Sequence, residues 1–170
     1  MSLRHAVLGL LAHGPASGYD LLKTFEGSLA NAWPATQSQL YGELNKLADS
    51  GYVTVAAEGP RGRKEYAITE AGRAELHHWI TEVEPERVRR SDMLLRVFFL
   101  DLVERREALD YLRREAEGAA ERHAAFAELA LVVDSTDDPL AEHGRIALEW
   151  GLRFTKMQQE WAEWAQRRLG

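Results

Sequence analysis

From Arg105 to Val133 the chain repeats a pattern that few folds can accommodate. Leu109, Leu112, Ala116, Ala119, His123, Phe126, Ala130 and Val133 recur in steps of three and four, the spacing that lays a narrow seam along one side of an α-helix. At ~1.5 Å rise per residue such a helix runs roughly 40 Å, longer than a compact domain can enclose alone. After the acidic stretch from Asp134 to Asp138, Trp150, Phe154, Met157, Trp161 and Trp164 repeat the same spacing. They hold three of the five tryptophans, and an aromatic seam of that size needs a partner surface. Long helices that cannot bury such seams within one chain are predicted to pair with a second copy. The expected dimer contacts are Leu109, Leu112, Phe126, Trp150, Phe154, Met157, Trp161 and Trp164. A self-contained hairpin or small bundle is the alternative.

Before Pro85 the segments are short and mixed, and after it the chain is rich in helix-forming Ala, Leu, Glu and Arg. Two domains are therefore expected, 1–82 and 83–170. Leu3, Val7, Leu10 and Leu11 predict a buried first helix ending at His13-Gly14-Pro15. Ser17-x-x-Asp20 has the form of a capping box opening a second helix with Leu21, Leu22, Phe25 and Leu29. Thr36-x-x-Gln39 opens a third, with Leu40, Leu44 and Leu47 on one stripe and Gly51 as its C-terminal stop. Tyr52–Val55 and Arg63–Ile68 read as strands around the turn Glu58-Gly59-Pro60-Arg61-Gly62, and Thr69 caps a fourth helix. Ser91-Asp92 starts a helix holding Leu94, Leu95, Val97, Phe98, Phe99, Leu100 and Leu102, an apolar surface broad enough to predict burial on more than one side.

Three helices, a two-stranded ribbon and another helix are the order of a winged helix-turn-helix. The predicted class is thus mainly α with a small two-stranded β wing, followed by an α-helical dimerisation domain. In this motif the N-terminal end of the recognition helix meets base edges. Gln37, Ser38 and Gln39 occupy that end of the third helix, and glutamine can pair with adenine in bidentate fashion. Tyr41, Asn45 and Lys46 flank it as phosphate or base contacts, and Gly42 leaves the backbone open to close approach. Arg61, Arg63 and Lys64 put three cations on the turn, as wing contacts to backbone or minor groove. Taken singly, polar outer faces and Arg-Gly turns are ordinary surface features; their conjunction in this order points to double-stranded DNA.

Other chemistries find little support. The chain has no cysteine, which removes disulfides and thiolate metal sites. There is no Gly-rich phosphate loop, nucleophile elbow or metal-ligand cluster. His77 and His78 are adjacent and point to different faces, and His123 inside a seam reads as a satisfied polar residue. No enzyme, metal or cofactor is expected. No apolar run reaches membrane-span length and the N-terminus lacks a signal peptide's apolar core, so a cytoplasmic protein is expected. The rival reading is a winged helix that binds a protein partner on a helical dimer scaffold, with no DNA target. The formal charge of −6 favours that rival. It divides unevenly, however. Residues 1–82 hold 7 bases and 9 acids, or −2, and the remainder 14 and 18, or −4. Most of the acidity belongs to the helical half.

Leu3-Arg4-His5-Ala6-Val7-Leu8-Gly9-Leu10-Leu11 followed by Gly14-Pro15-Ala16-Ser17-Gly18-Tyr19-Asp20-Leu21 resembles the opening of PadR transcriptional regulators. Trp33 to Leu44 is similar to their recognition-helix region, although Gly42 follows Tyr41 where family members often carry proline. Leu47–Val53 and Tyr66–Gly72 resemble the strand-wing-strand ending. The second half is similar, by pattern more than motif, to the long C-terminal helical domain of the subfamily named for phenolic acid decarboxylase regulation. The resemblance implies a homodimeric repressor on a pseudo-palindromic operator, released by a small aromatic or phenolic effector bound between the domains or at the dimer interface. Tyr19 and Trp33 match positions near that junction. Met93, Leu94 and Phe98 lie just beyond it, and ordinary interdomain packing would place all five equally well.

Overall fold

The computed structural model describes residues 2–28, 35–59, 63–85, 90–135 and 140–170. The chain divides into two compact units, Met1–Glu86 and Arg87–Gly170.

The first unit runs α1 (Ser2–Ala12), β1 (Ala16–Ser17), α2 (Gly18–Ser28), α3 (Gln37–Asp49), β2 (Val53–Glu58), β3 (Lys64–Ile68) and α4 (Glu70–Thr81). Its core is Val7, Leu8, Leu10 and Leu11 of α1, Leu21 and Phe25 of α2, and the α3 stripe Leu40, Leu44 and Leu47. Those three leucines turn inward together because steps of four and three keep them on one helical face. The α3 start is a complete capping box: Thr36 Oγ1 accepts from Gln39 N at 3.3 Å, and Gln39 Oε1 accepts from Thr36 N at 2.9 Å. Its end is a Schellman turn, with Gly51 at φ +74 and Tyr52 N donating to Leu47 O at 3.0 Å.

The sheet has three strands in the order β1-β3-β2, all antiparallel, where two were expected. Pro15 stops the chain from continuing as helix, and the extended Ala16–Ser17 pairs with Tyr66 and Glu65 along the other edge of β3. Two residues carry no periodicity a sequence pattern could reveal. Gly59 N donates to Arg63 O at 2.6 Å and closes the wing ribbon at that end; residues 60–62 lie outside the described residues.

Helix α4 is locked on by Thr69, whose Oγ1 donates toward Gly51 O (2.8 Å) and Tyr52 O (3.0 Å) while capping Gly72 N at 3.1 Å. The approach is so close that a Cβ at Gly72 would collide with the Tyr52 carbonyl oxygen. The buried His5 ring stacks on Trp79 at 4.5 Å and meets Glu75 at 3.2 Å, tying α1 to α4.

The second unit holds α5 (Asp92–Val97), a 3₁₀ turn (Leu100–Leu102), α6 (Arg105–Asp134) and α7 (Ala141–Leu169). Helix α5 starts where expected, with Ser91 Oγ accepting from Leu94 N at 3.2 Å, but it ends at Val97 instead of continuing to Leu102. Phe99 leaves helical geometry at φ −117. The expected burial on more than one side is also absent from the single chain: Leu94, Leu95, Phe98, Phe99 and Leu102 are all exposed, Phe98 by 81%. Apolar content predicts that a segment needs cover; among the described residues, α6 packs on the 3₁₀ turn and Met93, Val97 and Leu100 are half-buried, but these five side chains stay exposed.

Helices α6 and α7 form an antiparallel hairpin, with Arg105 reaching Gly170 O at 2.6 Å at one end and Arg145 meeting Asp134 at 3.1 Å near the other. Ala108, Leu112, Ala116, Ala119 and Ala130 of α6 are buried, as are Leu148, Thr155, Ala162 and Ala165 of α7. Small residues let the axes approach closely. Gly151 makes room for Phe126, since a Cβ there would lie 2.9 Å from the ring's Cε2. His123 Nδ1 lies 3.0 Å from Leu152 O and 3.1 Å from Thr155 Oγ1, a satisfied polar residue inside the hairpin. Among the described residues no helix is long and apolar enough to cross a membrane.

Candidate nucleic-acid interface

The leucine stripe of α3 fixes its rotation, and therefore which residues face outward. Gln37, Ser38, Gln39, Asn45 and Lys46 are exposed, and Tyr41 and Gly42 are half-buried. A Cβ built on Gly42 meets no atom within 4 Å, so the groove beside it is open.

Two of these side chains are partly committed. Gln39 Oε1 accepts from both Thr36 N (2.9 Å) and Thr36 Oγ1 (3.2 Å). Both lone pairs of its carbonyl oxygen are thus taken, and the bidentate adenine contact expected of it is closed while the cap is formed. The capping box wins because it satisfies an orphan helix amide within the same turn. The Gln37 side chain engages no hydrogen bond among the described residues, which leaves it the better placed of the two glutamines. Lys46 lies 3.3 Å from Glu43 one turn away, with its side chain 74% exposed.

Tyr41 turns toward the start of α2. Gly18 admits it: a Cβ at that position would lie 2.6 Å from the Tyr41 Cε1 atom. A cleft of about 440 Å³ results, lined by Ser17, Gly18 and Tyr19 of the α2 entry, Tyr41 of α3, and Arg63, Lys64 and Tyr66 of the wing. A phenolic hydroxyl, two cations and the amide end of α2 thus share one concavity, a set of groups suited to phosphate. Arg63 Nη2 also donates to Asp20 Oδ2 at 2.6 Å, joining the wing to α2. The Asp20 carboxyl is held below the ordinary carboxylate range, first by the Ser17 hydroxyl and then by Arg63. Asp20 reads in the sequence as a cap only; its bond to a residue 43 positions away leaves no local trace. Arg61 lies outside the described residues.

Of the expected effector residues, Tyr19 is exposed and lines this cleft. Met93 is half-buried and Leu94 and Phe98 are exposed in the second unit, and Trp33 lies outside the described residues. The expected dimer seam splits in two. Leu112 is wholly buried within the single chain, and Leu109 and Phe126 are half-buried, so Leu112 is not available to a second copy while the hairpin is intact. Trp150, Met157 and Trp164 are 62%, 50% and 55% exposed, whereas Phe154 and Trp161 are half-buried. Positions 148, 155 and 162 lie two residues before 150, 157 and 164. That offset is about 200° around a helix, so the outer aromatic stripe runs opposite the inner seam. Leu131, Val132 and Ile146 extend the exposed apolar surface and were not singled out by spacing.

Comparison with known proteins decides the family. The profile of the transcriptional regulator PadR-like family matches residues 7–78. The negative transcriptional regulator PadR of Bacillus subtilis is 35% identical over 132 residues, 75% of this chain and 70% of that protein. The chain belongs to the PadR-like family of transcriptional regulators. It is a regulator and not an enzyme, as expected. A second profile, the virulence activator alpha C-terminal domain, matches residues 89–170. The crystal structure of B. subtilis PadR with operator DNA matches all of this chain and all of that one, at 28% identity and a TM-score of 0.86. The same protein with p-coumaric acid matches 99% of each chain at 28% identity and a TM-score of 0.87. A mainly helical winged-helix protein with a helical C-terminal half is therefore the PadR architecture.

Proposed function

We propose that this PadR-like regulator is a homodimeric repressor of a pseudo-palindromic operator, acting in the cytoplasm and released by a small aromatic or phenolic effector. Residues 1–82 bind DNA and residues 83–170 dimerise. The observation that carries the DNA reading is the convergence of Tyr41, Arg63 and Lys64 on one cleft beside the outward N-terminal end of α3. Gln37 and Ser38 read base edges, and Asn45 and Lys46 hold adjacent bases or phosphates. The wing, Arg61 included, contacts backbone or minor groove. Gln39 serves chiefly as the cap that aims this end of the helix.

Dimerisation rests on the exposed stripe Trp150, Met157 and Trp164 together with the uncovered α5 segment. Two copies set the half-site separation at about one helical turn, roughly 34–36 Å, or a multiple of it. The effector reading rests on the likeness to a relative solved with p-coumaric acid, with Tyr19, Trp33, Met93, Leu94 and Phe98 as the residues to probe. An effector that favours one relative angle of the two reading heads would release the operator without altering either head.

The test is binding to the chain's own promoter region, titrated with salt. Reversing Arg61, Arg63 and Lys64 to glutamate together is expected to weaken binding to every duplex and to flatten the salt dependence. Unchanged affinity and slope would remove the wing from the interface and favour a protein partner for the winged helix.

A further inference from the structure

We propose that Asp20 is a positioning residue for DNA recognition: its carboxylate fixes the direction of the Arg63 guanidinium, so the pair governs discrimination between sequences more than total affinity. This rests on the reading of the wing as a DNA contact.

The geometry has three parts. First, the carboxylate is itself immobilised. Asp20 Oδ2 accepts from Ser17 N at 3.4 Å while Asp20 N donates to Ser17 Oγ at 3.3 Å, the two bonds of the α2 capping box, and the same carboxylate oxygen accepts from the Ser17 hydroxyl at 2.7 Å. Second, the same oxygen accepts from Arg63 Nη2 at 2.6 Å. The guanidinium is planar with five N–H donors. An end-on bond uses one donor, restricts where the end of the side chain can point, and leaves the other four donors for a partner. Third, the Arg63 backbone is held too, because its carbonyl accepts from Gly59 N at 2.6 Å. Arg63 is therefore fixed at both ends, while its side chain stays 61% exposed beside the cleft.

Energetics point the same way. With its two side chains 61% and 46% exposed, the pair contributes little to folding. An acid beside a phosphate-binding cleft also repels every duplex equally. A contact that adds little stability and opposes non-specific binding is explained by what it does to geometry. Holding the end of Arg63 in one direction rewards the duplex whose backbone or groove shape matches, and the negative charge lowers the affinity of all others. Lys46, paired one turn away with Glu43 on its own helix, makes no such link between elements.

The experiment uses the full-length protein and two probes: the duplex that the wild-type protein enriches from a random-sequence library, and a scrambled duplex of the same composition. Affinity for each is measured across a salt series by fluorescence anisotropy, and folding by thermal melting. Asp20→Asn is expected to raise affinity for the scrambled duplex while the enriched-to-scrambled ratio falls about tenfold, the scale of one good recognition contact. Arg63→Lys keeps the charge and leaves the α2 cap untouched, so it carries the test if Asp20→Asn does not fold. Its enriched-to-scrambled ratio is expected to fall by a similar factor. If both variants keep the wild-type ratio, Asp20 is merely a repelling charge and the proposal is overturned, with the wing reading intact. If Arg63→Gln changes neither affinity nor the salt slope, Arg63 does not meet DNA, and the wing reading falls together with the proposal.

Discussion

A single glycine shows how tightly the first unit is specified. Gly72 sits where α4 meets the chain leaving α3, and a Cβ there would strike the Tyr52 backbone oxygen and the Ile68 side chain. Backbone cannot yield as a flexible side chain can. Gly72→Ala is therefore expected to destabilise the fold by about 1–3 kcal/mol despite alanine's higher helix propensity, read as a lower urea midpoint. A charge gives a second residue-scale prediction. Glu149 accepts from Arg153 at 2.8 Å and Arg145 at 3.0 Å, and these two hold its carboxyl below the ordinary value, Arg153 foremost. A lowered folded value means a contribution complete at neutral pH and lost as pH falls through that value. The melting temperature of Glu149→Gln should lie below wild type at pH 7, and the gap should close as pH drops below about 4.

At the scale of elements, α7 has two opposed faces with different duties. Its inner face packs on α6, where Leu112 is fully buried and Thr155 Oγ1 contacts the His123 ring. Leu112→Ala should cost about 2–5 kcal/mol, because the cavity it leaves can collapse only partly. Trp150→Ala on the outer face removes a larger side chain, yet it should leave the hairpin of an isolated copy nearly as stable. Urea unfolding at low protein concentration separates the two. Heptad spacing did not separate the two faces: 150, 154, 157, 161 and 164 read as one aromatic seam, whereas the buried inner positions are 148, 155, 162 and 165. Leucine, threonine and alanine won the inner positions because close-packed helices need small residues, and the bulky tryptophans were left outside. The α5 segment taught the converse lesson. Its hydrophobic richness was plain in the sequence, but burial depends on neighbours, and its own chain supplies too few.

For the whole molecule the proposed consequence is association with a second copy. The outer stripe exposes Trp150, Met157 and Trp164, and the α5 segment exposes Leu94, Leu95, Phe98, Phe99 and Leu102, large apolar side chains of the kind that mark an interaction surface. If the proposed dimer forms through this stripe, Trp150→Glu with Met157→Glu is expected to leave only monomer in light scattering without lowering helix content. It should also weaken operator binding far more than scrambled-duplex binding, since two half-sites lose their linkage. The distribution of charge fits this arrangement. The helical half carries −4 of the −6, while the wing brings Arg63 and Lys64 to the cleft and Lys46 of α3 is exposed. Net charge alone argued against nucleic acid; its location does not.

The order of elements, the α3 capping box, its leucine stripe, the Gly51 stop and the long helices were determined by the sequence itself. Each is set by residues within a few positions of one another, and local backbone geometry converts that spacing directly into a face or an end. Three things were decided only by the tertiary structure: the third strand at Ala16–Ser17, the division of α7 into inner and outer faces, and the bond from Arg63 to Asp20. All three depend on groups far apart in the chain meeting in space. A two-residue strand has no period, two superposed heptads look alike until a partner helix chooses one, and an ion pair across 43 positions has no spacing to read.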